Sequence, residues 1–164
     1  MTDLEVYGSA ALVGAVSGMR SMSAPAVLGQ LARSGAVAIG HSGIDVLSRP
    51  VAAHGFTALA VAEAVADKLP FMPDRTKAIS LTGRAITGAV TGAAVCSAKK
   101  RPLIWGALIG AAAAVGTAYG MYRLRKRAAK TLHIPNVALG LAEDALVAAA
   151  GWCVASRLRT VASA

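Results

Sequence analysis

The sequence predicts an all-α polytopic membrane bundle of about five transmembrane helices, forming one domain over residues 1–164. Three observations predict it. Hydrophobic residues make up 55% of the chain and charged residues only 15%, where a soluble domain carries about 25% charged. Alanine and glycine supply most of the apolar count, a composition that suits helices whose backbones approach closely in lipid. Five apolar stretches are also long enough to cross about 30 Å of hydrocarbon at 1.5 Å per residue.

The first stretch covers about residues 6–32 and is interrupted by "GMRSMSAP", residues 18–25. Pro25 lacks an amide donor, and in a continuous helix it strands the carbonyl of Ser21. With Gly18, Ser21 and Ser23 alongside, the helix is expected to break near Pro25. Non-helical backbone at membrane depth survives only against protein or a polar cavity. Two readings follow. The serines re-satisfy a kinked backbone while Arg20 reaches the interface, or the freed carbonyls, Ser21, Ser23 and Arg20 contact a ligand.

Residues 33–50, with Gly40, His41, Ser42 and Gly43, read as a loop. Pro50 opens a second stretch at about 51–68, which "ADKLP" closes. The tight turn "LPFMPDRT" leads to a third at 78–98. Pro102 and Pro135 open a fourth at 103–122 and a fifth at 135–157, since proline is favoured at the first helical position.

An inverted repeat is legible in these stretches. Val13-Gly14 and Gly18-Met19 match Val115-Gly116 and Gly120-Met121 at the same spacing, and "ALAVAE" ending at Glu63 matches "ALGLAE" ending at Glu143. Helices one and two then resemble helices four and five. A single intervening helix turns the copies over, an arrangement in which transporters place a site at the repeat interface.

Charges at membrane depth are the informative feature. Arg20, Glu63, Arg84, Glu143 and Asp144 fall inside the stretches, and Asp67 lies near an end, one turn beyond Glu63 on the same face. Each unpaired charge costs about 2.5–3.5 kcal/mol at the centre of a membrane helix. The helices must therefore pair them or let them line a wet cavity. Counting along the stretches puts Glu63 and Glu143 about 12 Å, and Arg84 about 9 Å, from the N-terminal side. Three helices thus bring charges to one layer, as a structural ion-pair knot or as a site for an ion.

The net charge is +9, but the cations bunch between apolar runs, at Lys99-Lys100-Arg101 and from Arg123 to Lys130. They read as loops flanking membrane helices. No stacking aromatics interleave with them, so nucleic acid is not an expected partner. The cations divide evenly between the two sides. Only the basic fourth loop tilts the expectation toward a cytoplasmic N-terminus. The opening Met-Thr-Asp-Leu-Glu has no basic residue and does not read as a cleaved signal peptide. Cys96 and Cys153 have no metal-ligand spacing and read as buried thiols or as a pair exiting on one side.

"SGMRSMSAP", "AEAVADKLP" and "PNVALGLAED" occur in the order found in small bacterial integral membrane proteins of domain-of-unknown-function family 4126, which the chain resembles over roughly residues 8–150. The resemblance implies a helical protein of the bacterial plasma membrane and supplies no reaction. It marks Arg20, Glu63, Asp67, Lys68, Glu143 and Asp144 as family-typical positions.

The expected function is a small transporter or channel for an ion or small polar solute. It would work as a homodimer or within a larger membrane complex, with no cofactor. Its site would comprise Arg20, Ser21, Ser23, Glu63, Asp67, Arg84, Glu143 and Asp144, and whether it takes a metal is open. An accessory subunit of a larger complex is the alternative. A lipid-headgroup enzyme fits less well, because no HExxH, nucleophile elbow or phosphate loop is present.

Overall fold

A capping box starts the first helix. The Glu5 amide donates to the Thr2 hydroxyl at 3.3 Å, and the Thr2 amide donates to the Glu5 carboxylate at 2.7 Å. Two amide donors at the helix start are thereby satisfied reciprocally. The computed structural model describes residues 2–40, 44–66, 78–131 and 136–159. These form α1 (Asp3–Met19), α2 (Ser23–Arg33), a 3₁₀ turn (Ile44–Ser48), α3 (Pro50–Ala66), α4 (Ala78–Ala98), α5 (Leu103–Thr131) and α6 (Asn136–Arg159), with no strand among the described residues. Asp67, Lys68, the "LPFMPDRT" turn and Pro135 lie outside them.

The break expected near Pro25 is present, but it falls upstream. Arg20 leaves the helix in an extended conformation, φ −140° and ψ 118°. Pro25 becomes the third residue of α2, within the first turn, where the amide has no intrahelical partner to lose. The Ser21 carbonyl that the ring would have stranded is now outside either helix.

Beyond the break the chain reverses. The Ser97 hydroxyl, near the end of α4, donates to the Gly40 carbonyl at 2.6 Å, and Arg101, three residues beyond α4, pairs with Asp3. Residues 3 and 40 therefore sit at the same end of the bundle. The stretch expected to cross once is an antiparallel helical hairpin with its turn at Arg20–Met22. α3 runs back along α2, with Gln30 of α2 donating to the Thr57 hydroxyl at 3.0 Å and the hairpin turn meeting Glu63. Accordingly α1, α3 and α5 run one way and α2, α4 and α6 the other. The N-terminus joins the side that holds Arg33 and Arg101, not the side of Arg123–Lys130 where the sequence reading put it.

Glycine brings α1, α4 and α5 into backbone contact. A Cβ on Gly14 would sit 2.7 Å from the Gly110 Cα, and one on Gly92 would sit 3.1 Å from the same atom. One on Gly88 would sit 2.6 Å from the Ala114 Cβ. Gly88 and Gly92 are one turn apart, as are Gly106 and Gly110, so each pair clears one face for its neighbour. Gly14 opposes Gly110 and Gly18 opposes Ala114, which makes α1 and α5 parallel. An inverted repeat would set these two in opposite directions, so the matched Gly spacing draws no support from the packing. Gly14 and Gly18 serve close approach to α5, whereas a Cβ on Gly116 or Gly120 would meet nothing within 4 Å, so the two copies do not share a packing role.

α5 runs to Thr131, 29 residues in all, past the end expected at 122. Arg123, Arg125, Lys126 and Arg127 are therefore helical. Two helices, Leu103–Ala128 and Ala138–Leu158, are long and apolar enough to cross a membrane, and the apolar α3 is shorter. Cys96 is buried and Cys153 half-buried, and both are free thiols.

Candidate functional site at the hairpin turn

The turn leaves two adjacent helix ends to be satisfied. α1 ends with carbonyls that have no following amides, and α2 begins with amides that have no preceding carbonyls. Arg84 of α4 supplies the first set, its Nη1 donating to the Gly18 carbonyl and, at 3.0 Å, to the Met19 carbonyl. Glu63 of α3 stands at the second and holds the turn that leads into it, with Oε1 accepting the Ser21 amide and Oε2 the Met22 amide, each at 3.0 Å. The signs match the helix dipoles, a cation at the C-terminus of α1 and an anion at the N-terminus of α2. The Arg84 Nη2 stands 3.9 Å from Glu63 Oε1, so the two caps also form a pair.

Arg20, between the two capped segments, turns its buried guanidinium onto Asp144 of α6. Next along α6, the buried Glu143 accepts from Arg125 of α5 at 3.2 Å. The layer expected from depth counting exists: Glu63 and Arg84 meet, and Arg20, Asp144, Glu143 and Arg125 continue it. Among the described residues, three guanidiniums face three carboxylates. Arg84 is six residues into α4 and Glu143 seven into α6, so the layer lies about 9–10 Å inside the bundle from that end.

Two expectations change. Glu143 does not converge on Arg84; its partner on this side is Arg125. Arg125 was missed because hydropathy places it in a loop, where it looks like an interfacial charge. A signal existed. Residues 125 and 143 stand equally far from Ile134, as cross-partners on two oppositely running helices joined by a short turn would. Ser21 contributes its amide to the layer, and Ser23 is buried at the head of a groove beside it. Asp67 lies outside the described residues.

Glu63 keeps 19% and Asp144 28% of their side-chain surface accessible, so the layer is not sealed. Ser17 of α1 and Thr91 of α4 approach to 3.4 Å deeper in the bundle and extend the polar contacts along that interface. Among the described residues no three His, Cys, Asp or Glu side chains gather to hold a metal.

The model of a domain of unknown function, DUF4126, matches residues 8–157, and the chain belongs to that family. No curated protein and no solved structure matches it.

Proposed function

We propose that this DUF4126 member is a small transporter or channel of the bacterial plasma membrane, passing an ion or small polar solute at the Arg20–Met22 turn. One observation carries the reading. A helix C-terminus and the turn leading into a helix N-terminus lie together inside the bundle, each met by a charged side chain from another helix. Discontinuous helices of this kind are where transporters bind substrate and coupling ions, and irregular backbone at membrane depth requires protein or a wet cavity around it. In this reading α3 to α6 cross the bilayer four times, and α1–α2 enters and returns as a hairpin. The partly accessible Glu63 and Asp144 are the groups a solute or proton reaches first.

Flux in vesicles tests it. Glu63→Gln and Asp144→Asn keep shape and part of the hydrogen bonding while removing charge. Purified protein in liposomes is expected to conduct protons or small ions, and both variants are expected to fold yet lose the flux. Wild-type vesicles as tight as empty ones would sink the transport reading.

A second reading, an accessory subunit or homodimer, is favoured by α3. Ala53 alone among its residues is fully buried, while Leu59, Val61 and Val65 are exposed. A helix apolar on all sides is covered by lipid or by another protein. Tight vesicles together with a stable oligomer in mild detergent would select this reading.

A further inference from the structure

A groove of about 600 Å³ runs along α2, walled by α3 and α6. We infer that it holds one acyl chain of an anionic phospholipid, with the phosphate at Arg33. The inference goes beyond the transport reading and shares with it only the membrane setting.

The groove extends from Ser23 to Arg33 and Ser34. Ten residues of helix separate Ser23 from Arg33, about 15 Å, which is half the roughly 30 Å of hydrocarbon and so the depth of one leaflet. Its volume falls within the range of small-molecule sites, about 300–1,000 Å³. Its interior is apolar where it counts. Val27, Ala60, Val147 and Trp152 line it, and Gly151 leaves the wall of α6 low beside Val27.

The polar groups midway along the groove are already engaged. Gln30 donates to the Thr57 hydroxyl at 3.0 Å, and that hydroxyl donates to the Ala53 carbonyl at 2.8 Å. A polar solute would find few unused partners along this path, whereas methylenes need none. Only the end changes character. Arg33 is exposed in the last turn of α2, its Nε held 3.3 Å from Gln30 Oε1, a cation fixed where a headgroup phosphate would sit. Charge complementarity thus selects an anionic lipid over a zwitterionic one.

Trp152 provides the probe, since it lines the groove and is 75% exposed. Replacing the other tryptophan, Trp105→Phe, leaves Trp152 as the sole indole. The protein is reconstituted into phosphatidylcholine vesicles doped with either brominated phosphatidylglycerol or brominated phosphatidylcholine, and quenching of Trp152 is titrated. Flotation with the vesicles measures the membrane setting separately. Half-quenching is expected at an about fivefold lower fraction of the anionic lipid, the factor one cation near the surface is worth. Arg33→Gln should remove that preference. Equal quenching by the two lipids, or a preference that survives Arg33→Gln, overturns the inference. So does protection of Trp152 from both lipids, which would put protein, such as a second copy, in the groove.

Discussion

Two parts of this bundle are held together in different proportions by backbone and by side chain. In α1, α4 and α5, side chains are removed so that backbones touch: Gly14, Gly88, Gly92, Gly106 and Gly110 each lie where a Cβ would overlap a neighbour. Between α2 and α3 only Gly29 makes such an approach, its would-be Cβ 3.2 Å from the Ala53 Cα, and the rest of the contact is made by a few side chains, among them Gln30 with Thr57 and Glu63 with the hairpin turn. Most of α3 is exposed. In the membrane setting proposed above, helices have no hydrophobic driving force between them, and close van der Waals approach is the available adhesive. The glycine unit has it along three helices, whereas the α2–α3 arm has it at Gly29 and Ala53 and otherwise depends on polar side chains and on whatever fills the groove. The polar layer sits at the joint between them, where Arg84 of the rigid unit and Glu63 of the arm hold the same turn.

The contrast can be broken first at its chain path. With both cysteines replaced, single cysteines at Thr2 and Ser156 should react with an impermeant thiol reagent from the same side of sealed vesicles. Labelling from opposite sides would restore a single first crossing and remove the hairpin.

Next comes the rigid unit. Gly110 faces both α1 and α4, so Gly110→Leu has nowhere to place its side chain. It should cost about 3 kcal/mol or more, at the upper end of overpacking, read as lost yield or a large fall in unfolding temperature in detergent. Gly116 has nothing within 4 Å of its would-be Cβ. Gly116→Ala should be neutral or should stabilise by roughly 0.5–1 kcal/mol through helix propensity. Equal damage at both positions would contradict the backbone-contact account.

The smaller effect lies in the joint. Glu63→Ala strands the Ser21 and Met22 amides of the hairpin turn and weakens the neutralisation of Arg84. Because Glu63 is partly accessible, water recovers some of the loss, leaving about 2 kcal/mol. Limited proteolysis should then cut near Arg20–Met22 while α4–α5 stays resistant. Uniform sensitivity along the chain would mean that the two regions do not differ in kind.

Much of this was legible in the residues. Helices at 78–98 and near 51–68 and 135–157 follow from apolar run length, and the break follows from a proline whose missing amide acts on its own neighbours. The charged layer was readable too, because depth along a helix is a count of residues at fixed rise. These are local quantities. The direction taken after the break is not local. A helix that ends at Met19 can resume along the same axis or fold back. The reversal is held by Glu63 and Arg84, more than 40 residues away in sequence. Partner choice within the layer was hidden for the same reason. Arg125 looks like a loop cation until α5 is seen to continue through it to reach Glu143. Sequence by itself determined which segments are helical, where the first one breaks and which charges share a depth. Only the tertiary structure decided which way the chain turns and which charge each carboxylate meets, because those depend on side chains of α3 and α4 meeting the end of α1 and the turn into α2 at once.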